Sequence, residues 1–191
     1  MTGWLMDAGI PVESERTLDL RGHGLINELL SFLRFLDSPI DNRSFVDFLT
    51  GEIMSRSSGQ TQGVMRDFVF SLRARISQKK NLYIYKEFRD AYPELWERFF
   101  DQFFRTVGLY PLYELMISIV QRFAVLENFP EAQGFVMRLL ELIKSWEEET
   151  TDISSFLEYL EDLGAEEFYV HTVDSEAVKI LTIHKAKGLE F

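Results

Sequence analysis

"PELWERFFDQFFRTVGLYPLYELMISIVQRFAVLENFPEAQGFVMRLLELIKSW", residues 93–146, decides the fold class. Apolar side chains return every three or four positions: Leu95, Trp96, Phe99, Phe100, Phe103 and Phe104, then Leu112, Leu115, Met116, Ile119, Val120 and Phe123, then Phe135, Leu139, Leu142, Ile143 and Trp146. That is the 3.6-residue period of a helix with one wet face, and it differs from the alternation of a half-buried strand. Each run opens at a proline (Pro93, Pro111, Pro130), where the missing N–H is one that a first helical turn leaves unbonded anyway. Helices with aromatic faces of this size bury them against one another, so a helical bundle follows, and the rings need no cofactor to explain them.

The same period extends outward. Leu25, Ile26, Leu29, Leu30, Leu33 and Leu36 form an amphipathic helix that Pro39 ends within "DSPIDN", residues 37–42. Asp41 or Asn42 can cap the next, short helix, which carries Phe45, Val46 and Leu49. "SRSSGQTQG", residues 55–63, is the one low-complexity stretch and reads as a linker. Val64, Met65, Phe68, Val69, Leu72 and Ile76 resume the helical spacing. Near the other end, "TTDISSFLEYLEDLG" (150–164) opens on a capping Thr/Asp, buries Ile153, Phe156, Leu157 and Leu160, and stops at Gly164. Strand signals are confined to "FYVHTV" (168–173) and residues 178–183, with an extended segment after "GIPV" (9–12). The expected fold is thus mainly α, with about seven helices before one or two strands. The strand at 178–183 shows no partner with which to build a sheet.

Composition narrows the function classes. With 46% hydrophobic residues and 17 phenylalanines the chain is globular. It has no apolar run of about 20 residues and no basic-then-apolar leader, so no membrane partner is expected. The absence of cysteine excludes disulfides and thiolate metal sites and agrees with a cytoplasmic location. A net charge of −11 argues against a nucleic-acid binder over its whole surface. The charge is uneven, however: residues 141–176 hold twelve acids and one lysine, whereas Arg56, Arg66, Arg73, Arg75, Lys79 and Lys80 face only Asp67 in residues 56–80. Polyanion contact must therefore be local, and solvated helix faces are the plainer reading of both stretches.

No phosphate-cradling Gly-x-x-x-x-Gly-Lys-Ser/Thr run, Gly-x-Gly-x-x-Gly or Gly-x-Ser-x-Gly is present. His23, His171 and His184 lie far apart, with no second ligand at metal spacing. The acids of "WEEE" (146–149) point in different directions and read as a solvated helix end. No catalytic residue and no metal site is assigned.

The chemistry that remains sits in "TIHKAKGLEF", residues 182–191. A strand delivers Thr182 and His184 to its carboxyl end, where open α/β sheets bind ligands. Lys185 and Lys187 add positive charge, Gly188 permits a sharp turn, and Glu190 can accept a sugar hydroxyl. On physical grounds this is a loop facing phosphate or nucleic acid, or else an ordinary strand-to-helix connection.

"VKILTIHKAKGLEF" (178–191) resembles motif V of the UvrD-like superfamily 1 DNA helicases, closest to the RecB/AddA exonuclease–helicase branch. "GIPVESERTLDL" (9–20) with "LINELLSFLRFLDSPIDN" (25–42) resembles the segment after motif IV of that family, and "DISSFLEYLEDL" (152–163) its approach to motif V. The match at the two ends covers about a third of the chain, the helical middle agreeing in type and order more than in residues. The resemblance implies a piece of a longer protein. Residues 1–51 and 174–191 would belong to the second RecA-like motor domain, and residues 52–173 to the helical domain inserted in it. It also implies that Thr182 and His184 contact the backbone of single-stranded DNA, and that Gly188 and Glu190 face the nucleotide, Glu190 at the ribose. Lys185 and Lys187 would reach backbone phosphate at most, and Arg66, Arg73, Arg75, Lys79 and Lys80 are candidates for duplex contact on charge alone. ATP and Mg2+ are the cofactors implied for the full-length enzyme, with none in this segment, which by itself is expected neither to hydrolyse ATP nor to unwind DNA. The expected partners are single-stranded and junction DNA, with a nuclease or helicase subunit beside them. The alternative is a helical docking module for a nuclease partner, with no DNA contact of its own.

Overall fold

The computed structural model describes residues 12–14, 19–73, 82–147, 152–164, 168 and 178–180. Within them the chain is a mainly α-helical bundle. Its helices are α1 (Gly24–Asp37), α2 (Asn42–Leu49), α3 (Glu52–Ser58), α4 (Gln62–Ser71), α5 (Ile84–Ala91), α6 (Pro93–Phe99), α7 (Asp101–Thr106), α8 (Leu112–Arg122), α9 (Val125–Asn128), α10 (Gln133–Trp146) and α11 (Ile153–Asp162).

Helix α1 is the axis of the bundle. Leu29, Phe32, Leu33 and Phe35 on it are wholly buried, and α2, α3, α10 and α11 all pack on it. Phe32 stacks on Phe48 with centroids 4.4 Å apart and presents its edge or face to Phe100, Phe103 and Phe123 at 5.5–5.7 Å. One continuous core runs from Leu20 to Phe168, and the packing passes unbroken across residue 51. The aromatic face of residues 93–104 is core, as its period requires, with Trp96, Phe99, Phe100 and Phe103 buried. It is divided between two helices, because Phe100 bends the chain (φ −117°, ψ −40°) and so turns Phe103 toward Phe32.

The caps follow local chemistry. Asp41 caps α2, its Oδ1 accepting from the Arg43 and Ser44 N–H groups. The Asn42 side chain can therefore reach across the bundle. Its Oδ1 accepts from the Ile84 N–H and its Nδ2 donates to the Leu82 carbonyl, both at 2.8 Å. This side chain completes the backbone of the segment entering α5. Asn42→Ala is expected to lower stability by about 1–3 kcal/mol, the cost of stranding half-buried backbone groups; urea denaturation measures it, and a loss below about 0.5 kcal/mol would deny the clamp. Asp152 caps α11 by accepting from the Ser155 N–H at 2.8 Å.

Three expectations need correction. Residues 55–63 are not a linker. Ser55–Ser58 complete α3, Gly59 ends it in the left-handed region (φ +73°), and the Thr61 hydroxyl caps α4. The serines are absorbed by the fold: Ser58 donates to the Met54 carbonyl, and Ser57 shares its one proton between the Ile53 and Phe123 carbonyls. Glu147, read as part of a solvated helix end, is instead a cap: its Oε1 accepts from the Tyr113 N–H at 3.1 Å, at the start of α8. Finally, the strand near residue 178 has a partner. Val12–Ser14 (β1) and Val178–Ile180 (β2) pair in parallel, with Val12 opposite Val178, Glu13 opposite Lys179 and Ser14 opposite Ile180. Parallel neighbours are joined by a crossover, so a pairing of this kind leaves no local trace in sequence. Of "FYVHTV" only Phe168 is described; it is buried, with the Arg21 guanidinium 4.6 Å from its ring centroid.

No helix among the described residues is long and apolar enough to cross a membrane.

Candidate nucleic-acid interface

Thr182, His184, Lys185, Lys187, Gly188 and Glu190 lie outside the described residues, as do Arg75, Lys79 and Lys80. Arg66 and Arg73 are described, and both are exposed on or just beyond α4. Arg66 lies at the corner between α3 and α4, and Arg73 follows the far end of α4.

That corner is held at both ends. At the start of α3, the Glu28 carboxylate from α1 accepts from the Glu52 and Ile53 N–H groups at 2.9 and 2.8 Å. Burial pushes the Glu28 carboxyl up from its ordinary value, while those two bonds pull it down without cancelling the effect. At the end of α3, the Gly59 N–H donates to the Ser55 carbonyl and the Ser55 hydroxyl donates to the Gln60 carbonyl. The chain then turns directly into α4, because a left-handed residue reverses it without the Cβ penalty of any side chain other than glycine's.

A shallow depression of about 520 Å³ lies over this corner, lined by Glu52, Ser55, Arg56, Thr61, Gln62, Gly63 and Arg66. Its two cations differ. Arg56 is tied inward: its guanidinium lies 4.2 Å from the Phe129 ring centroid, donates to the Asn128 carbonyl at 2.6 Å, and sits 3.7 Å from Glu52. Arg56 therefore joins α3 to α9 and contributes little unbalanced charge. Arg66 bonds across one helical turn to the Gln62 side chain at 3.3 Å and is directed to solvent.

Helix α4 places its residues by period. Met65 is buried, and Phe68 sets its ring edge-on to Phe88 and Tyr92 at 5.8 and 5.4 Å. The opposite side carries Arg66, Phe70 and Arg73, with Asp67 as the acid beside them. Phe70 is 66% exposed. Sequence reading found the arginines by charge but passed over Phe70, because it sits among other apolar residues of a helix and only the phase of burial singles it out.

Elsewhere His23, at the start of α1, stacks on Phe135 at 4.0 Å; burial pushes its pKa down, against the pull of Glu131. Among the described residues no three His, Asp or Glu side chains are grouped as a metal site would need. What the arrangement offers is a polar, cationic surface beside an exposed ring, suited to binding a polyanion. No family model matches the chain, and no curated protein matches it.

Proposed function

We propose that this chain is the helical module inserted into the second motor domain of a UvrD-like, ATP-dependent DNA helicase of the RecB/AddA exonuclease–helicase branch, together with the flanking strands of that domain. The observation that carries the reading is the parallel pairing of Val12–Ser14 with Val178–Ile180. The segment that resembles the stretch after motif IV and the one that resembles motif V are parallel neighbours, and the chain between them, with helices on both sides of residue 51, is their crossover. Parallel neighbours need a crossover connection, and a helical domain inserted between them supplies one. In this reading β2 opens motif V, with Thr182 and His184 toward the DNA backbone, Lys185 and Lys187 near phosphate, and Gly188 and Glu190 toward the nucleotide. ATP with Mg2+ would supply the driving reaction between the two motor domains, and the bundle's part is to hold junction DNA through α4.

Fluorescence anisotropy with a labelled duplex–single-strand junction tests the DNA role. The 191-residue chain is expected to bind at 50 mM salt and to weaken about tenfold or more by 200 mM, as release of two or more counterions requires. No binding at 50 mM salt would remove it. A second reading has an observation of its own. Leu109 and Tyr110 are 74% and 55% exposed, and Tyr113, Met137 and Leu140 line a depression of about 330 Å³ beside Glu141 and Lys144. Exposed apolar side chains of this kind suit a protein partner, and the docking reading gains if the chain ignores DNA even at low salt.

A further inference from the structure

We infer that Phe70 is a base-stacking residue, and that Arg66, Phe70 and Arg73 form one contact for the single-stranded arm of a DNA junction. The inference rests on the DNA-binding reading above and deepens it, by naming the side chain and the state of the strand it takes.

Spacing comes first. Arg66 and Phe70 are four residues apart and Phe70 and Arg73 three, the separations at which helical side chains become neighbours. Leu72, which ends α4, keeps near-helical angles (φ −83°, ψ −12°), so Arg73 continues the same edge about one turn beyond Phe70. Met65 and Leu72 are buried, fixing the rotation of the helix and leaving Phe70 66% exposed. Among the described residues, no ring contact or core packing involves Phe70. Singly exposed apolar side chains are common, so exposure alone assigns nothing. What distinguishes Phe70 is a guanidinium one turn before it and another one turn after.

The chemistry of that triplet selects its ligand. The arginines recognise phosphate by charge and paired N–H donors. A phenyl ring has no donor or acceptor, so it cannot read base edges; it can cover a base face, and every base has one. Bases inside a duplex already stack on each other, whereas those of a single strand have open faces. A ring between two phosphate-binding groups therefore favours single strand over duplex. Charge complementarity favours DNA over protein at this edge, since among the described residues it sets Arg66 and Arg73 against Asp67, a local positive balance in a chain whose net charge is −11.

The test compares the parent chain with Phe70→Ala, Phe70→Trp, Arg66→Ala and Arg73→Ala, using labelled oligothymidylate and a blunt duplex of equal length at 50 mM salt. Phe70→Ala is expected to weaken oligothymidylate binding about fivefold or more, the loss of one stacked base, while blunt-duplex binding stays within about twofold. Phe70→Trp is expected to restore or exceed the parent affinity. Each arginine variant should weaken both probes and reduce the salt slope by about one. Unchanged melting temperatures would show that the surface variants fold. If Phe70→Ala affects both probes equally, or neither, stacking is overturned while the DNA-binding reading stands. If the parent chain binds neither probe, both fall.

Discussion

Phe32→Ala is expected to remove about 3–5 kcal/mol of folding stability. Phe32 has no exposed surface. Besides Phe35 on its own helix, its ring contacts come from four places: Phe48 on α2, Phe100 at the α6–α7 bend, Phe103 on α7 and Phe123 at the end of α8. Truncation deletes both the transfer energy of a phenyl group and the edge-to-face contacts beyond it. The neighbours are poorly placed to fill the hole. Phe48, Phe100 and Phe123 also pack on one another, so moving any of them inward opens a gap elsewhere. Urea denaturation is the measurement, with the midpoint falling and the slope retained. Phe70→Ala, on the exposed edge of α4, is the control and is expected to change stability by less than about 0.5 kcal/mol. A loss below about 1.5 kcal/mol for Phe32→Ala would mean that the core is not organised around this ring.

The same ring shows what could be read from sequence. Helical period located the buried faces of α1, α6, α8, α10 and α11, because each rests on apolar residues repeated within one element. Features that depend on a partner elsewhere in the chain were not legible. Asn42 looked like a possible cap; its clamp on Leu82 and Ile84 depends on residues 40 positions away or more. Residues 55–63 have the composition of a linker, yet each serine finds a carbonyl in its own helix or turn, and Ser57 also reaches that of Phe123 at the end of α8. Helix α5 left no clear period because in eight residues only Ile84 and Phe88 are buried. The candidate interface was legible in its charges and not in its ring, since a helix carrying Met65, Phe68, Val69, Phe70 and Leu72 declares which of them faces out only once it is packed.

Gly51→Ala is expected to cost about 2–5 kcal/mol, through a collision with Glu28 and not through the backbone. Gly51 has φ −78° and ψ 175°, angles open to alanine. A Cβ there, however, would lie 2.4 Å from the Glu28 carboxyl carbon and from Oε2. Glu28 is pinned by the Glu52 and Ile53 N–H groups, so it can yield only by giving up two charge-assisted bonds at a helix start, each worth about 1.5–3 kcal/mol. The smaller backbone freedom of unfolded alanine returns about 0.4–1 kcal/mol of this. The mechanism makes the two positions non-additive. Glu28→Ala alone should cost about 1–3 kcal/mol by leaving the N–H pair without an acceptor. Adding Gly51→Ala to Glu28→Ala should then cost nothing, or restore up to about 1 kcal/mol, because the colliding group has gone. Four urea curves close the cycle, and simple addition of the two single losses would refute the collision. Because α3 carries Glu52 and Arg56 into the depression at the α3–α4 corner, the Glu28–Gly51 contact is where bundle packing meets the proposed DNA surface.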